Sequence, residues 1–281
     1  MNMTGAQAIV QTLLEQGVEL IFGYPGGAIM PTYDALYDVR DRLRHVLVRH
    51  EQGATHAAEG YARASGRVGV VLATSGPGAT NCITGLANAL MDSTPLVCIT
   101  GQVRSDQLGT EAFQEADVIG LSRAATKWNC QITDPAEIPG VLRHAFAIAR
   151  SGRPGPVLVD ITRDAQLGSF EEAHPDPAMP PEDTSDLAGL QQAADLINNA
   201  RRPLILAGHG VQLAGASEAL RQLAEIGGIP VACTLHGLSA LPADHPLFVG
   251  MLGMHGHYGP NLLTNEADLL IAVGMRFDDR V

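Results

Sequence analysis

Val68–Met91 reads VGVVLATSGPGATNCITGLANALM. The stretch Val68–Ala73 is apolar without interruption and too short for a helix, as in a strand buried on both faces. The turn Thr74-Ser75-Gly76-Pro77-Gly78-Ala79-Thr80 ends it, and a helix follows to Met91. Working outward, the same alternation recurs. Upstream, Thr4 and Gln7 form a capping-box pattern opening an amphipathic helix, with Ile9, Val10, Leu13 and Leu14 as its apolar stripe and Gly17 as its stop. A short strand Glu19–Phe22 leads into a second glycine turn, Gly23-Tyr24-Pro25-Gly26-Gly27-Ala28, and a helix through Leu36. His45–Val48 is a strand followed by a helix from Glu51 to Ala64. Downstream, Leu96–Thr100 is a strand, Pro135–Arg150 is mostly helix with Pro139 in its first turn, and Val157–Ile161 is a strand. Strands alternating with helices in this way imply an α/β fold of doubly wound parallel sheets, covered on both faces.

The segment SFEEAHPDPAMPPEDTSD from Ser169 is rich in proline and acid and reads as an interdomain linker over 169–186. The pattern then restarts: helix Leu187–Asn199, strand Pro203–Ala207, turn Gly208-His209-Gly210, helix Ala216–Ile226, strand Pro230–Cys233 and a last strand Asp268–Val273. Two domains are expected, 1–168 and 187–281. Val281 follows the last strand so soon that the second domain is expected to be incomplete, or the chain to be a fragment of a longer protein.

Across 281 residues, apolar types make up 46% and charged types 17%, with 31 Gly and 17 Pro, which suits a globular α/β enzyme with many tight turns. A net charge of -12 argues against nucleic acid as a general partner, while a small anion in a locally positive pocket stays compatible with it. The four cysteines, Cys82, Cys98, Cys130 and Cys233, include no C-x-x-C pair and read as buried thiols of a reducing compartment. The N-terminus lacks a basic n-region and no apolar run is long enough to span a bilayer, so a cytoplasmic protein without membrane association is expected.

Both glycine turns follow strands and precede helices, which places bare N–H groups where a ligand's polar atoms can bind. Neither is a P-loop or a dinucleotide fingerprint, and glycines that merely permit tight turns are an equal reading. Glu51 opens a helix, where a carboxylate ordinarily does no more than complement the dipole. The small residues after it (Ala54, Ala57, Ala58, Gly60, Ala62) permit close packing, as in a subunit interface. His255 and His257, with His209 and His236, lack a third partner at metal-binding spacing. Phe113-Gln114-Glu115 falls on a loop. Arg153 and Arg276 each read as surface ion pairs.

Taken together, GYPGGAIMP (Gly23–Pro31), RHEQGA (Arg49–Ala54), ATSGPGATN (Ala73–Asn81), GTEAFQEAD (Gly109–Asp117), SGRPGPVLVDI (Ser151–Ile161), MLGMHG (Met251–Gly256) and RFDDRV (Arg276–Val281) resemble, in the same order, the large catalytic subunits of acetolactate synthase (acetohydroxyacid synthase), a thiamine-diphosphate enzyme family. The resemblance covers nearly the whole chain. It implies that 1–168 is the pyrimidine-binding domain and 187–281 the start of the central, FAD-binding domain. It implies too that a diphosphate domain holding Mg²⁺ is absent, so that the metal's ligands lie outside this chain. The implied activity decarboxylates pyruvate and transfers the two-carbon unit to pyruvate or 2-oxobutyrate, the first common step of branched-chain amino-acid synthesis. This portion alone is expected to show no carboligation.

By the same resemblance Glu51 hydrogen-bonds N1′ of the aminopyrimidine and so governs loss of the thiazolium C2 proton. Gly26, Gly27, Ala28 and Pro77 approach thiamine diphosphate, with Gly27 and Gln114 counted with Glu51 as catalytic. Phe113 and Arg163 line the substrate channel. Arg153, Gly208, Gly210, Thr234, Leu235, Gly253, Met254, His255, Gly274 and Arg276 contact a structural FAD. The implied partners are further catalytic subunits, as a homodimer or homotetramer with a site between subunits, and a small regulatory subunit. Arg104 stands where relatives commonly have Pro, Thr162-Arg163-Asp164 where they have Pro-Lys-Asp, and His209 and His257 where several have Gly. Two other readings stay open: another enzyme of the superfamily, such as glyoxylate carboligase or pyruvate oxidase, and a non-catalytic FAD- or thiamine-binding fragment.

Overall fold

The computed structural model describes residues 2–171, 173–178 and 187–281. The chain divides into two units, Met1–Thr184 and Ser185–Val281. In the first, the elements are β1 (Met3–Thr4), α1 (Gly5–Glu15), β2 (Leu20–Gly23), α2 (Met30–Tyr37), β3 (Arg44–Leu47), α3 (Glu51–Ser65), β4 (Gly69–Ala73), α4 (Pro77–Thr80) and α5 (Ile83–Met91). They continue as β5 (Leu96–Gln102), α6 (Val118–Ser122), β6 (Trp128–Ile132), α7 (Ile138–Arg150), β7 (Pro156–Thr162), α8 (Arg163–Leu167) and β8 (Ser169–Phe170). Six strands form one parallel sheet in the order β3-β2-β4-β5-β7-β6. The order reverses beside β4, so the crevice at the carboxyl ends of the strands opens where parallel sheets receive ligands.

The capping box is formed as the sequence predicts: the Gln7 amide donates to Thr4 Oγ1 at 3.2 Å and the Thr4 amide to Gln7 Oε1 at 3.0 Å. The two faces of the sheet are distinguished by strand alternation. Val97, Ile99, Val157, Val159 and Ile161 pack with the apolar sides of α1 and α7. Leu96, Cys98 and Leu158 pack with α3 and α5. The small residues of α3 find a use within this unit: Ala54, Ala58 and Ala62 are buried against the sheet and α5. A Cβ on Gly85 would stand 1.9 Å from Thr55 Oγ1, so α5 crosses α3 with no room for a side chain. Glu59 is buried between these helices and accepts from Arg63 at 2.6 Å and from Asn88 at 2.8 and 2.9 Å.

Several elements depart from the sequence reading. The helix expected to run unbroken from the Gly-Pro-Gly turn to Met91 is two helices, α4 and α5, joined at Asn81–Cys82. Strand β6 is unanticipated because it is an edge strand whose Asn129 and Gln131 interrupt the apolar pattern. Ser169 and Phe170, placed in the linker, instead pair antiparallel with Thr4 and Met3 as β8. Of the rest of that linker, 172 and 179–186 lie outside the described residues, while Asp176 lies on α7, held by Arg143 at 2.6 and 2.8 Å. All four cysteines are free, and Cys130 is half-buried rather than buried.

The second unit comprises α9 (Leu190–Asn199), β9 (Pro203–Ala207), α10 (Gly210–Leu213), α11 (Ser217–Gly227), β10 (Val231–Cys233), β11 (Phe248–Met251), α12 (Tyr258–Glu266) and β12 (Leu269–Val273). Its four strands are parallel, in the order β11-β10-β9-β12. The core is Ile205, Ala207, Val231 and Cys233 under Leu220 and Ala224 of α11. Strand β11 and helix α12 are missed by the sequence reading; glycine and proline at Gly259 and Pro260 disguise the helix start, where proline is tolerated. Among the described residues no helix is long and apolar enough to cross a membrane.

The first-unit packing makes a prediction. A Cβ on Gly69 would stand 2.4 Å from Ala58 O and 2.6 Å from Leu96 Cδ2. Gly69→Ala should therefore push α3 off β4 and destabilise the chain by about 1–3 kcal/mol, read as a lower urea midpoint at unchanged m-value.

Candidate functional site

The turns after β2 and β4 meet around one side chain. Thr74 sits so tightly between them that a Cβ on Gly26 would stand 2.5 Å from its Cβ and Cγ2, and one on Gly78 2.7 Å from its Cγ2. The Ala28 amide donates to Thr74 Oγ1 at 3.3 Å. From the other side, Gln166 Nε2 donates to Ala28 O at 2.8 Å while its Oε1 accepts from Thr32 Oγ1 at 2.9 Å. Gly26 and Ala28 are thus fixed from two directions. Gly27 between them faces open space, since a Cβ there would meet nothing within 4 Å. Pro77 occupies the first turn of α4, where its missing N–H costs nothing.

Glu51 enters this crevice from the start of α3. His50 Nδ1 accepts from the Gln52 amide at 3.1 Å and caps the helix, so its first residue is held at the crevice wall. The Glu51 side is not in bulk water: the residue is 8% exposed. Its Oε2 accepts from Asn81 Nδ2 at 2.9 Å, and its Oε1 lies 3.3 Å from where a Cβ on Gly78 would stand. No described cation lies within ion-pair distance of Glu51. The structure therefore gathers Glu51, Gly26, Gly27, Ala28 and Pro77 at one edge, as a buried carboxylate beside bare backbone.

Three neighbours were not found by the sequence reading. Asn81 holds the carboxylate, and the only sequence signal for it is that it ends the ATSGPGATN block. Tyr33 and His45 form a second pair under Gly23, with Tyr33 Oη 3.0 Å from His45 Nε2 and the rings edge to face at 5.1 Å. Burial, and after it the charge of Glu51, raises the Tyr33 phenol above its ordinary range, and burial lowers His45. Neither residue carried a motif.

Gln114 lies on the loop between β5 and α6 with φ 60°, and its carbonyl oxygen is 2.7 Å from where a Cβ on Gly76 would stand. Its backbone therefore touches the Gly-Pro-Gly turn that carries Pro77. Phe113 projects outward, 88% exposed. The neighbouring Glu115 accepts from the Gly109 amide and, at 3.1 Å, from the Ala112 amide, which together hold its carboxyl below the ordinary range and tie the loop's tip to itself. Arg163 is exposed at the first position of α8. Arg153 is not the surface ion pair its composition suggested. It donates to Leu90 O, Met91 O and Ser93 Oγ at 2.7–3.0 Å and closes the last turn of α5.

In the second unit, the turns 208–210, 234–235, 253–255 and 274–276 follow β9, β10, β11 and β12 and so lie at the same, carboxyl edge of that sheet. Several of their glycines are required by the fold itself. A Cβ on Gly208 would stand 2.3 Å from Gly274 O, and one on Gly253 2.5 Å from Arg280 O. Gly210 packs equally close, with its Cβ position 2.6 Å from Gly274 Cα. Thr234 Oγ1 accepts from the Gly237 amide at 3.1 Å, while Leu235, Met254 and His255 are exposed along this edge. Arg276 pairs with Asp278. The His209 and His236 rings are 5.6 Å apart. Among the described residues no three of His, Cys, Asp or Glu converge to hold a metal ion.

Comparison with known proteins bears on these two edges. Residues 3–121 match the family described as thiamine pyrophosphate enzyme, N-terminal TPP binding domain, and residues 190–281 match the thiamine pyrophosphate enzyme central domain. The chain is 53% identical over 279 residues to the acetolactate synthase isozyme 2 large subunit of Escherichia coli K12, covering 99% of this chain and 50% of the relative. It is 51% identical over 284 residues to the acetolactate synthase large subunit of Corynebacterium glutamicum, covering 100% of the chain and 45% of the relative. It is 48% identical over 283 residues to that of Lactococcus lactis, covering 99% and 49%. The chain thus spans about half the length of the curated relatives it matches.

One buried acid in this unit sets a pH dependence. Burial pushes the Asp160 carboxyl up to about 6, against the hydrogen bonds of Thr100, Gln131 and Gln102, which favour its ionised form. A group raised in the folded state stabilises fully below its unfolded value and loses that contribution as pH rises through the folded one. The stability of the wild-type chain relative to Asp160→Asn should accordingly fall by about 2 kcal/mol between pH 4 and pH 7, measured by urea denaturation. A flat difference would place the proton elsewhere.

Proposed function

Because the chain belongs to the thiamine pyrophosphate enzymes and carries their N-terminal and central domains, we propose that it is the N-terminal half of an acetolactate synthase catalytic subunit. The observation that carries this reading is identity near 50% along the whole chain to large subunits of that name, joined to a buried carboxylate, Glu51, facing bare glycine backbone. On this reading 1–168 binds the pyrimidine half of the cofactor and 187–281 is the start of the central domain. The substrates are pyruvate and a second 2-oxo acid, pyruvate or 2-oxobutyrate. The relatives' designation as large subunits supports a small regulatory partner, and the catalytic subunits would pair as dimers or tetramers.

The residues present fit thiamine diphosphate. A cradle of unsubstituted backbone surrounds Gly27, where a Cβ would find only open space, and Glu51 carries one side-chain donor, Asn81, leaving its Oε1 free to face a ring nitrogen. When bound, the cofactor supplies the electron sink for decarboxylation of a 2-oxo acid. Glu51 is assigned to hold or release a proton at Oε1 toward the aminopyrimidine. Asn81 fixes its other oxygen, so the carboxylate cannot rotate away. Low exposure strengthens that hydrogen bond relative to water. Gly26, Gly27, Ala28 and Pro77 let the ligand approach backbone closely. Gln114 and Phe113, with Arg163 at the margin, border the substrate approach.

FAD is assigned to the carboxyl edge of the second sheet. Four successive turns there bring Gly208, Gly210, Thr234, Leu235, Gly253, Met254, His255, Gly274 and Arg276 to the edge at which open parallel sheets receive ligands, which supports the reading. The fit is mixed: the glycines at 208, 210 and 274 are also demanded by their mutual contact, and Arg153 is engaged in closing α5. A structural role for the flavin agrees with the absence of a demand for net redox chemistry in the reaction. The described residues do not assemble a set for Mg²⁺.

The test is made in the protein completed to the relatives' full length, with pyruvate, thiamine diphosphate, Mg²⁺ and FAD. It should form 2-acetolactate. Glu51→Gln should lower kcat by about 10²–10⁴-fold and slow hydrogen–deuterium exchange at the cofactor's C2 comparably, with flavin content unchanged. Exchange at the wild-type rate in that variant would remove Glu51 from the assignment.

A further inference from the structure

The segment between β5 and α6, residues 103–117, carries Phe113 and Gln114, and both of its ends are fastened to acids of one short stretch, Val157–Asp164. At its start, the Ser105 amide donates to Asp164 Oδ1 at 2.9 Å and the Ser105 hydroxyl to Asp164 Oδ2 at 2.5 Å. At its end, Gln102 Nε2 donates to Ala116 O at 3.0 Å and also to Asp160 Oδ2 at 3.0 Å. Gln102 is held in that orientation by its own oxygen, which accepts from the Val103 amide at 2.9 Å. Asp160 is in turn fixed by Thr100 Oγ1 at 2.7 Å and Gln131 Nε2 at 2.9 Å. Register explains the grouping. Thr100 and Gln131 are the cross-strand partners of Asp160, and Gln102 lies two residues beyond Thr100 on the same face. On that face the apolar residues Leu96, Cys98 and Leu158 give way to polar ones toward the carboxyl edge.

We propose that Asp160 and Asp164 are positioning residues for this loop: Asp164 clamps its start through Ser105, Asp160 clamps its end through Gln102, and together they keep Gln114 against Gly76 beside the Glu51 crevice. The clamp stands on geometry alone; its consequence for substrate rests on the acetolactate synthase reading. A fully buried acid is costly, and Asp160 has no described cation beside it; its hydrogen bonds are to side chains of the two neighbouring strands, one of which, Gln102, reaches the loop. At Asp164, burial alone would raise the carboxyl, yet the hydrogen bonds it accepts, those of Ser105 foremost, together outweigh it and hold the group below its ordinary value, as expected for an ionised clamp. With both ends tied and the tip closed by Glu115, the loop is a fixed strap over the edge of the sheet.

Amide hydrogen exchange on the 281-residue chain tests the clamp without reference to catalysis. In Asp164→Ala, amides of 105–115 should exchange about tenfold faster or more while those of α3 and β4 keep the wild-type rate. Asp164→Asn, which retains an acceptor for the Ser105 amide, should restore most of the protection. Gln102→Met should free the 112–117 end in the same way. Should Asp164→Ala fail to fold, Ser105→Ala removes only the hydroxyl donor and should give a smaller acceleration confined to the loop. Unchanged loop amides, or equal acceleration throughout the unit, would overturn the proposal. In the completed protein, the same variants should raise the KM for pyruvate severalfold more than they lower kcat. A completed wild type that forms no acetolactate sinks the functional reading, while the exchange rates still decide the clamp.

Discussion

The contact of Thr74 with the two glycine turns is the constraint on which the candidate site depends. Parallel strands β2 and β4 are neighbours, so the turns that leave them must diverge or share the same space. Here they share it, and the sharing is feasible only because Gly26 and Gly78 lack a Cβ on the sides that face Thr74. That contact places Gly27 at the open rim and Gly78 against Glu51. The Thr74 hydroxyl then satisfies the Ala28 amide, an otherwise orphaned donor in a part-buried turn. Nothing at this edge has to move for bare backbone and a buried carboxylate to face one another.

Much of this edge was legible in the sequence because its determinants are local. A strand of buried residues, a glycine turn and a helix start are written in consecutive positions, and the blocks around Gly26, Glu51 and Gly76 lie in that order. What could not be read is whatever depends on residues distant in sequence. Asn81 reaches Glu51 across 30 positions, and Gln166 reaches Ala28 across 138. A lone glutamine or asparagine has no periodicity and no spacing to betray it. The same applies to Asp160, which inside the run VLVDI reads as an interruption of a strand rather than as the hub of a polar face. Edge strand β6 was lost for a related reason: Gln131 serves that hub, Asn129 holds Ile119 and Ser122 of α6, and the two spoil the apolar pattern.

The second unit teaches the converse. Its glycines were singled out by resemblance as ligand contacts, and part of their explanation is that the turns after β9 and β12 touch backbone to backbone. A glycine beside a ligand edge can have two reasons to be a glycine, and a motif reports their sum. Arg153 likewise has a local employment in closing α5, which a sequence reading assigns to a generic surface pair. Separating the fold's demand from the ligand's therefore needs side chains that the fold does not engage, and Leu235 and His255 on the exposed rim suit that better than Met254, whose sulfur accepts from Arg280 at 3.8 Å.

The cap of α3 has a consequence of its own. An imidazole can accept the Gln52 amide only through a ring nitrogen that carries no hydrogen, so His50 must present that nitrogen's lone pair. That choice leaves the ring's hydrogen on Nε2, so the cap specifies a tautomer as well as a rotamer. The residue before Glu51 thus fastens the first turn through a single ring nitrogen, and a side chain with no acceptor at that reach would leave the Gln52 amide unpaired where the carboxylate is seated.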